Sequence, residues 1–284
     1  MKLSIITINY NNADGLRKTL ESVAAQTYRN FEHVIVDGAS TDNSLQIIKE
    51  YVNNNSINEN PITIRWVSEP DNGIYNAMNK GIRKATGDYV QILNSGDILA
   101  APDVTERIMG ALEQTSNIKH QTSVSLLYGN MIKKDYTTGK ILGKSGEVEY
   151  SLHNYYTGTM NHDCCYIRKD LFENHGLYDE NLKIVSDWKW FLQVIGLGNV
   201  KPVYVDIDVT IFDASGISET NLEQRKKERR QVLEDLIPPA VLADYDAHAF
   251  EIEQVKRLRK YHLYGLFYFI ERVLFKLNKW KFLK

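Results

Sequence analysis

Over the first hundred positions, short β-branched apolar runs alternate with stretches of helical spacing. Leu3-Ser-Ile-Ile-Thr-Ile8, Phe31-Glu-His-Val-Ile-Val-Asp37, Ile62-Thr-Ile-Arg-Trp-Val67 and Tyr89-Val-Gln-Ile-Leu93 read as buried strands. Between them, Leu16, Leu20, Val23 and Ala24, then Leu45, Ile47, Ile48 and Tyr51, each mark one helix face. Ile74, Ala77, Met78, Gly81, Ile82 and Ala85 mark a third. Such alternation predicts an α/β fold whose mostly parallel sheet is covered on both faces.

After Asp97 the pattern weakens. It predicts a helix over Val104–Leu112, a strand over Leu126–Met131, a hairpin over 133–146 and a strand over His162–Arg168. A helix over Val185–Ile195 and an alternating strand over Val200–Phe212 follow. Glu223–Leu236 and Ala247–Lys284 read as helical, with a break at Pro238-Pro239 and no internal repeat.

Composition changes this picture in one place. The 284 residues are 43% hydrophobic and 25% charged, which is ordinary for a globular chain, and the formal net charge is -2. Residues 255–284, however, carry nine Lys or Arg against the single acid Glu271, so the preceding body is strongly acidic. No nucleic-acid partner is expected of it. Adjacent Cys164 and Cys165 cannot build a disulfide framework and lack the ligand spacing of a zinc site, which suggests a reducing compartment. Met1-Lys2 runs straight into the first strand without a signal-like segment. The apolar run Leu263–Ile270 is far below the ~20 residues of a spanning helix, so a cytoplasmic chain is expected.

Polar clusters sit where the leading strands end: Thr7, Asn9 and Tyr10; Asp37, Gly38, Ala39 and Ser40; Glu69, Pro70, Asp71 and Asn72; Asn94, Ser95, Gly96 and Asp97. Parallel strands place these ends along one rim, where α/β sheets bind ligands. A carboxylate beside glycine-permitted backbone suits a divalent cation on a diphosphate.

In order and content these motifs resemble those of the family-2 glycosyltransferases. The matching stretches are Ser4-Ile-Ile-Thr-Ile-Asn-Tyr-Asn11, Leu20-Glu-Ser-Val23 with Gln26-Thr27, Val34-Ile-Val-Asp-Gly-Ala-Ser-Thr-Asp42, Asp71-Asn-Gly-Ile-Tyr-Asn-Ala-Met-Asn-Lys-Gly81, Ala85-Thr-Gly-Asp-Tyr89 and Leu93-Asn-Ser-Gly-Asp97. Later matches run from Asn161-His-Asp-Cys-Cys-Tyr-Ile-Arg168 to Val185-Ser-Asp-Trp-Lys-Trp-Phe191. The resemblance implies the nucleotide-sugar-binding GT-A fold over residues 1–220, with a nucleotide-binding half (1–98) and an acceptor-binding half (99–220). Residues 221–284 would form a helical extension with a basic amphipathic tail.

It also implies an inverting transferase that moves a sugar from a nucleotide-diphosphate sugar to a glycan or lipid-linked glycan, in surface-polysaccharide assembly. Asp37 and Asp71 would then contact the nucleoside, with Thr7, Asn9 and Tyr10 shaping its pocket, and Lys80, Asn94 and Ser95 would belong to the same donor site. Asp97 would ligate Mg2+ or Mn2+ on the phosphates, and Asp187 would be the general base. Asn94 and Gly96 stand where the family often has Asp, which leaves Asp97 as the one metal carboxylate and puts metal dependence in doubt. His162 and Trp188 fall on the acceptor or donor-sugar side. Residue type leaves alternatives open: Asp187 also suits a helix cap, Trp188 and Trp190 suit a core, and His162 and Lys80 suit structural roles.

In the tail, Leu263, Leu266, Phe267, Ile270, Val273, Leu274 and Leu277 fall on one helical face continued by Trp280, with most cations off it. Such a helix fits an anionic membrane surface, or else a packed helix or a homo-oligomer contact. A sugar nucleotidyltransferase would need a Gly-rich basic loop after the first strand, and Asn9-Tyr-Asn-Asn-Ala13 is not one. A catalytically reduced partner subunit of the same fold remains the non-enzymatic alternative.

Overall fold

The computed structural model describes residues 1–118, 124–136, 138–148, 150–213 and 221–281. The expected boundary at 220/221 and the last three tail residues touch positions outside these. The element order is β1 (Leu3–Asn9), α1 (Ala13–Ala24), β2 (Phe31–Asp37), α2 (Ser44–Ser56), β3 (Thr63–Ser68), α3 (Ile74–Lys84) and β4 (Tyr89–Ile92). Then come β5 (Ile98–Leu99), α4 (Val104–Ile118), β6 (Leu126–Lys134), β7 (Ile141–Lys144), α5 (Leu152–Thr157) and a 3-10 turn, His162–Cys164. β8 (Cys165–Arg168), α6 (Asp170–His175), α7 (Ser186–Phe191), a π turn (Leu192–Gly196) and β9 (Val203–Asp213) follow. Last are α8 (Leu222–Leu236), α9 (Pro239–Lys260) and α10 (Tyr264–Lys281).

Among the described residues, nine strands join one sheet in the order β3-β2-β1-β4-β8-β6-β9-β5, with β7 paired to β6. β1 to β4 are mutually parallel where they pair, and the register sets Asn9 beside Asp37 and Asp37 beside Ser68. Their carboxyl ends therefore share a rim. β8 runs antiparallel to β4 and β6, while β9 runs parallel to β6. The result is a mixed α/β sheet flanked by helices, as the alternating pattern predicts for its leading part.

β1 and β2 are buried along their whole length, which explains their unbroken apolar composition. One core cluster gathers Leu3, Phe31, Tyr89 and Leu93 with Val104, Ile108 and Leu112 of α4. A second joins Leu16 and Leu20 of α1 to Ile35 of β2 and Ile47, Ile48 and Tyr51 of α2. α3 lies so close to β1 that a Cβ on Gly81 would stand 2.3 Å from Ile6 Cγ2, so glycine is what permits the approach.

The structure differs from the pattern in several places. β5, α5 and α6 are too short, at two to six residues, to show a period. The expected strand from His162 begins only at Cys165, because the preceding three residues coil into the 3-10 turn. The expected helix over Val185–Ile195 loosens into the π turn after Phe191. The final helix divides in two: α9 starts at Pro239, where proline suits the first helical turn, and the chain breaks before α10 with His262 at φ 57°.

The chain forms two compact units, Met1–Val232 and Leu233–Lys284. In the second, large apolar side chains from Leu263 to Phe275 are exposed, up to 67% at Phe275. They include Tyr268, Phe269 and Phe275, which lie off the predicted stripe, so the apolar surface is wider than the stripe alone. Arg259 and Arg272 rest over the rings of Tyr264 and Tyr268. The side chains of Leu277 and Trp280 fall outside the described set. No described helix is long and apolar enough to cross a membrane.

Candidate active site

The ends of β1, β2 and β3 are tied together by one carboxylate. Asp37 is 0% exposed, and its oxygens accept from Asn9 Nδ2 (2.8 Å), Ser40 Oγ (2.5 Å), Ser40 N (3.0 Å) and Ser68 Oγ (2.7 Å). Burial alone would raise its pKa, but the bonds from Ser40, Ser68 and Asn9 outweigh that and hold it below the ordinary value. Four protein donors hold Asp37 where the ends of the three strands meet, at the position the sequence assigns to the nucleoside site. Asn9 lies beside it with its own Oδ1 buried and without a protein partner.

Above this anchor the surface is open. Tyr10 is 65% exposed. A Cβ on Gly38 would meet Asp71 Oδ2 at 2.4 Å and Tyr10 Cδ2 at 3.1 Å, so the glycine forms a bare floor between an aromatic ring and a carboxylate. Asp71 Oδ1 accepts from the Gly73 N–H, which shapes the turn into α3. Lys80 donates to Pro70 O at 2.8 Å and pairs with Glu69 at 3.0 Å, so it braces the loop before Asp71.

The loop after β4 is held against the start of α1. Asn12 caps α1 by accepting from Gly15 N and donates to Ser95 O at 3.0 Å. The Thr19 hydroxyl accepts from Gly96 N and donates to Asp97 O at 2.7 Å. These bonds place Asn94, Ser95 and Asp97 beside the residues that follow β1.

On the other side Asn94 meets the second half of the chain. Its amide nitrogen lies 3.1 Å from His162 Nε2, while His162 Nδ1 lies 3.0 Å from Asp187 Oδ2. The other Asp187 oxygen accepts from the Tyr75 hydroxyl at 2.8 Å. Asp187 keeps 17% of its side chain exposed. Burial would raise its pKa, but the bonds and charge from His162 and the bond from Tyr75 leave it lowered. Burial would likewise lower that of His162, yet the bond and charge of Asp187, with Asp163 and Asp97 behind, raise it to about 9. Asn94, Asp97, His162 and Asp187 thus form one electrostatic unit.

Two expected residues stand apart. Thr7 is fully buried and bonds His33, which bonds Tyr51 in turn, so it joins a polar chain inside the protein. Trp188 is 3% exposed, donates its indole N–H to Tyr155 O at 2.7 Å and is covered by the Arg229 guanidinium at 4.3 Å. Trp190 stacks on Phe172 at 4.7 Å. Both indoles are interior because their polar atoms find backbone partners there.

Gly38 and Ser40 belong to the polar cluster that the sequence places on the rim, though without an assigned role, while Ser68 and Tyr75 enter the arrangement without having been singled out for it. Tyr75 gives no signal of its own, since it lies off the apolar stripe of α3 and its partner is 112 positions away.

Known proteins resemble this chain in both sequence and fold. The model of the family described as glycosyl transferase family 2 matches residues 4–176. An uncharacterised glycosyltransferase of Mycobacterium tuberculosis is 31% identical over 221 residues, which is 76% of each chain. A PGL/p-HBAD biosynthesis glycosyltransferase of Mycobacterium bovis is 28% identical, covering 78% of this chain and 80% of its own. Among solved structures, a mannosyltransferase from Pyrobaculum calidifontis in complex with GDP-Man and Mn2+ has TM-score 0.62 at 17% identity, covering 87% of this chain and 69% of that one. S. aureus TarS 1-349 in complex with UDP-GlcNAc has TM-score 0.59 at 20% identity over 78% of this chain, which spans 61% of that fragment's length. These structural likenesses show a GT-A fold. With a family model over more than half its length and a relative 31% identical across most of it, the chain belongs to glycosyl transferase family 2.

Proposed function

We propose that the chain transfers a sugar, with inversion, from a nucleotide-diphosphate sugar to a hydroxyl of a glycan or lipid-linked glycan in surface-polysaccharide assembly. The observation that carries this reading is the run from Tyr10, Gly38 and Asp71 to Asn94, Asp97, His162 and Asp187, held by bonds between segments far apart in sequence. Tyr10 and Asp71 bind the nucleoside over the Gly38 floor. Asp187 accepts the proton of the acceptor hydroxyl while the acceptor's oxygen attacks the anomeric carbon, and the electron pair of the broken bond leaves on the diphosphate.

The residues present fit a hard divalent cation. Among the described residues no three His, Cys, Asp or Glu side chains gather to hold a metal by themselves. Asp97 nevertheless offers an oxygen donor, and Mg2+ or Mn2+ accepts so few when phosphate and water complete its shell. Such an ion would stabilise charge developing on the leaving diphosphate. With both ring nitrogens of His162 engaged, we assign that residue to Asp187 and Asn94 and not to the metal.

The test is a thermal-shift screen with UDP-, GDP-, dTDP- and CMP-sugars, with and without Mn2+, followed by hydrolysis and transfer assays on the best donor. One donor should stabilise the chain, and Asp97→Ala should remove the part of that shift which needs Mn2+. No stabilisation and no turnover with any donor would instead favour the catalytically reduced partner subunit.

We also propose that residues 255–284 hold the enzyme on the anionic inner face of a membrane. Exposed rings and aliphatic side chains between Leu263 and Phe275, within a segment rich in Lys and Arg, support this. The chain should sediment with phosphatidylglycerol-containing vesicles and not with phosphatidylcholine alone. Deleting 255–284 should release it, whereas unchanged sedimentation would sink the proposal.

A further inference from the structure

α3 carries a polar atom that the proposed chemistry does not use. Tyr75 is buried, its ring packs 5.7 Å from that of Tyr178, and its hydroxyl donates to Asp187 Oδ1. A phenylalanine would fill this space equally well. Burying a hydroxyl is costly unless it is bonded, and the partner found here is the carboxylate read as the base.

The position of Tyr75 along the chain adds to this. It is the second residue of α3, four residues after Asp71. The intervening turn is closed by Gly73 N donating to Asp71 Oδ1 and Asn72 N donating to Asn76 Oδ1. Further along α3, Asn76 and Asn79 donate to Glu180, Arg83 lies near the same carboxylate, and Asn79 bonds both N and O of Tyr178. One helix therefore links the Asp71 turn to the segment that leads into Asp187. Tyr75 is the side chain of this helix that hydrogen-bonds Asp187.

We propose that Tyr75 is a positioning residue for Asp187, fixing one carboxylate oxygen so that the remaining lone pairs face the acceptor hydroxyl, in register with the nucleoside turn. This rests on the reading of Asp187 as the base. The proton moves from acceptor to Asp187, and Tyr75 keeps its own. Burial first, and then the neighbouring Asp187 charge, push the Tyr75 pKa well above its ordinary value.

The test is a double-mutant cycle on turnover with the donor selected by the thermal-shift screen. Tyr75→Phe, Asp187→Asn and the double variant are compared for kcat, donor Kd and Tm, with Asn79→Ala as a seam variant that does not touch Asp187. Tyr75→Phe should lower kcat about tenfold with donor Kd unchanged within about twofold, and should cost nothing further in the Asp187→Asn background. Asn79→Ala should lower Tm, and its effect on kcat should multiply with that of Asp187→Asn. Effects of Tyr75→Phe that multiply with Asp187→Asn, or a loss that follows only the unfolded fraction, would overturn the proposal. Full turnover by Asp187→Asn, or none by the unmodified chain with any donor, would instead overturn the reading beneath it.

Discussion

Asp37 and Asp187 are both carboxylates held among donors, and both have lowered pKa values, yet they are built in opposite ways. Asp37 lies at the end of a central parallel strand, sealed from solvent, with four bonds from neutral and immobile donors. Asp187 lies at the start of a short helix, partly open, with one bond from an ionisable ring and one from a phenol. A carboxylate saturated by neutral donors has no capacity left for a substrate. One with open lone pairs and a titratable neighbour can take up a proton and give it back. On the proposed reading, the comparison separates an anchor from a base although residue type and lowered proton affinity look alike.

The largest effect expected of this contrast is on chemistry. Asp187→Asn should reduce turnover by about 10^2- to 10^4-fold while donor Kd, measured by calorimetry, stays within about twofold. Parallel loss of binding would make Asp187 an anchor too, and the contrast would fail. Next is stability: Asp37→Asn replaces an acceptor by an amide that cannot satisfy the same four donors. It should cost about 2–4 kcal/mol, a fall in Tm of roughly 3–7 °C for a chain of this size, with kcat per folded molecule retained. A lost kcat without a lowered Tm would return Asp37 to the binding site.

The smallest effect is on pH dependence. His162 is raised from its ordinary 6.5 to about 9, so its stabilising contribution is complete below pH 6.5 and is lost as pH rises through about 9. Asp37, being lowered, contributes above the ordinary carboxylate value of 3.8 and loses that contribution only in acid. Denaturant melts between pH 6 and 10 should show a fall of up to about 3 kcal/mol in the unmodified chain, absent in His162→Gln. An equal alkaline fall in both would remove the His162–Asp187 pair as its cause.

Much of the leading half was legible in the residues. β1 to β4 and α1 to α3 follow apolar periods because each buries one face over several turns or along a whole strand. Asp71, Asn94, Ser95 and Asp97 were legible as polar interruptions at strand ends. Tyr75 was not, because it falls off the apolar stripe of its helix and the partner of its oxygen lies 112 positions away. Trp188 illustrates the converse: its spacing fits a sugar platform or a core equally, and Arg229, 41 positions away, decides by covering it. Thr7 and Asp37 sit in a promising motif, yet His33 and Ser68 on neighbouring strands draw them inward.

By itself, then, the order of residues determined the alternating architecture, the family and the rim on which polar groups would gather, since these follow from local periods and contiguous motifs. Tertiary structure alone decided which carboxylate is sealed and which is open, that His162 joins Asn94 to Asp187, and that Tyr75 reaches the same oxygen pair. The physical reason is that proton affinity and availability depend on burial and on donors brought in from other strands and helices. No spacing along the chain encodes those distances.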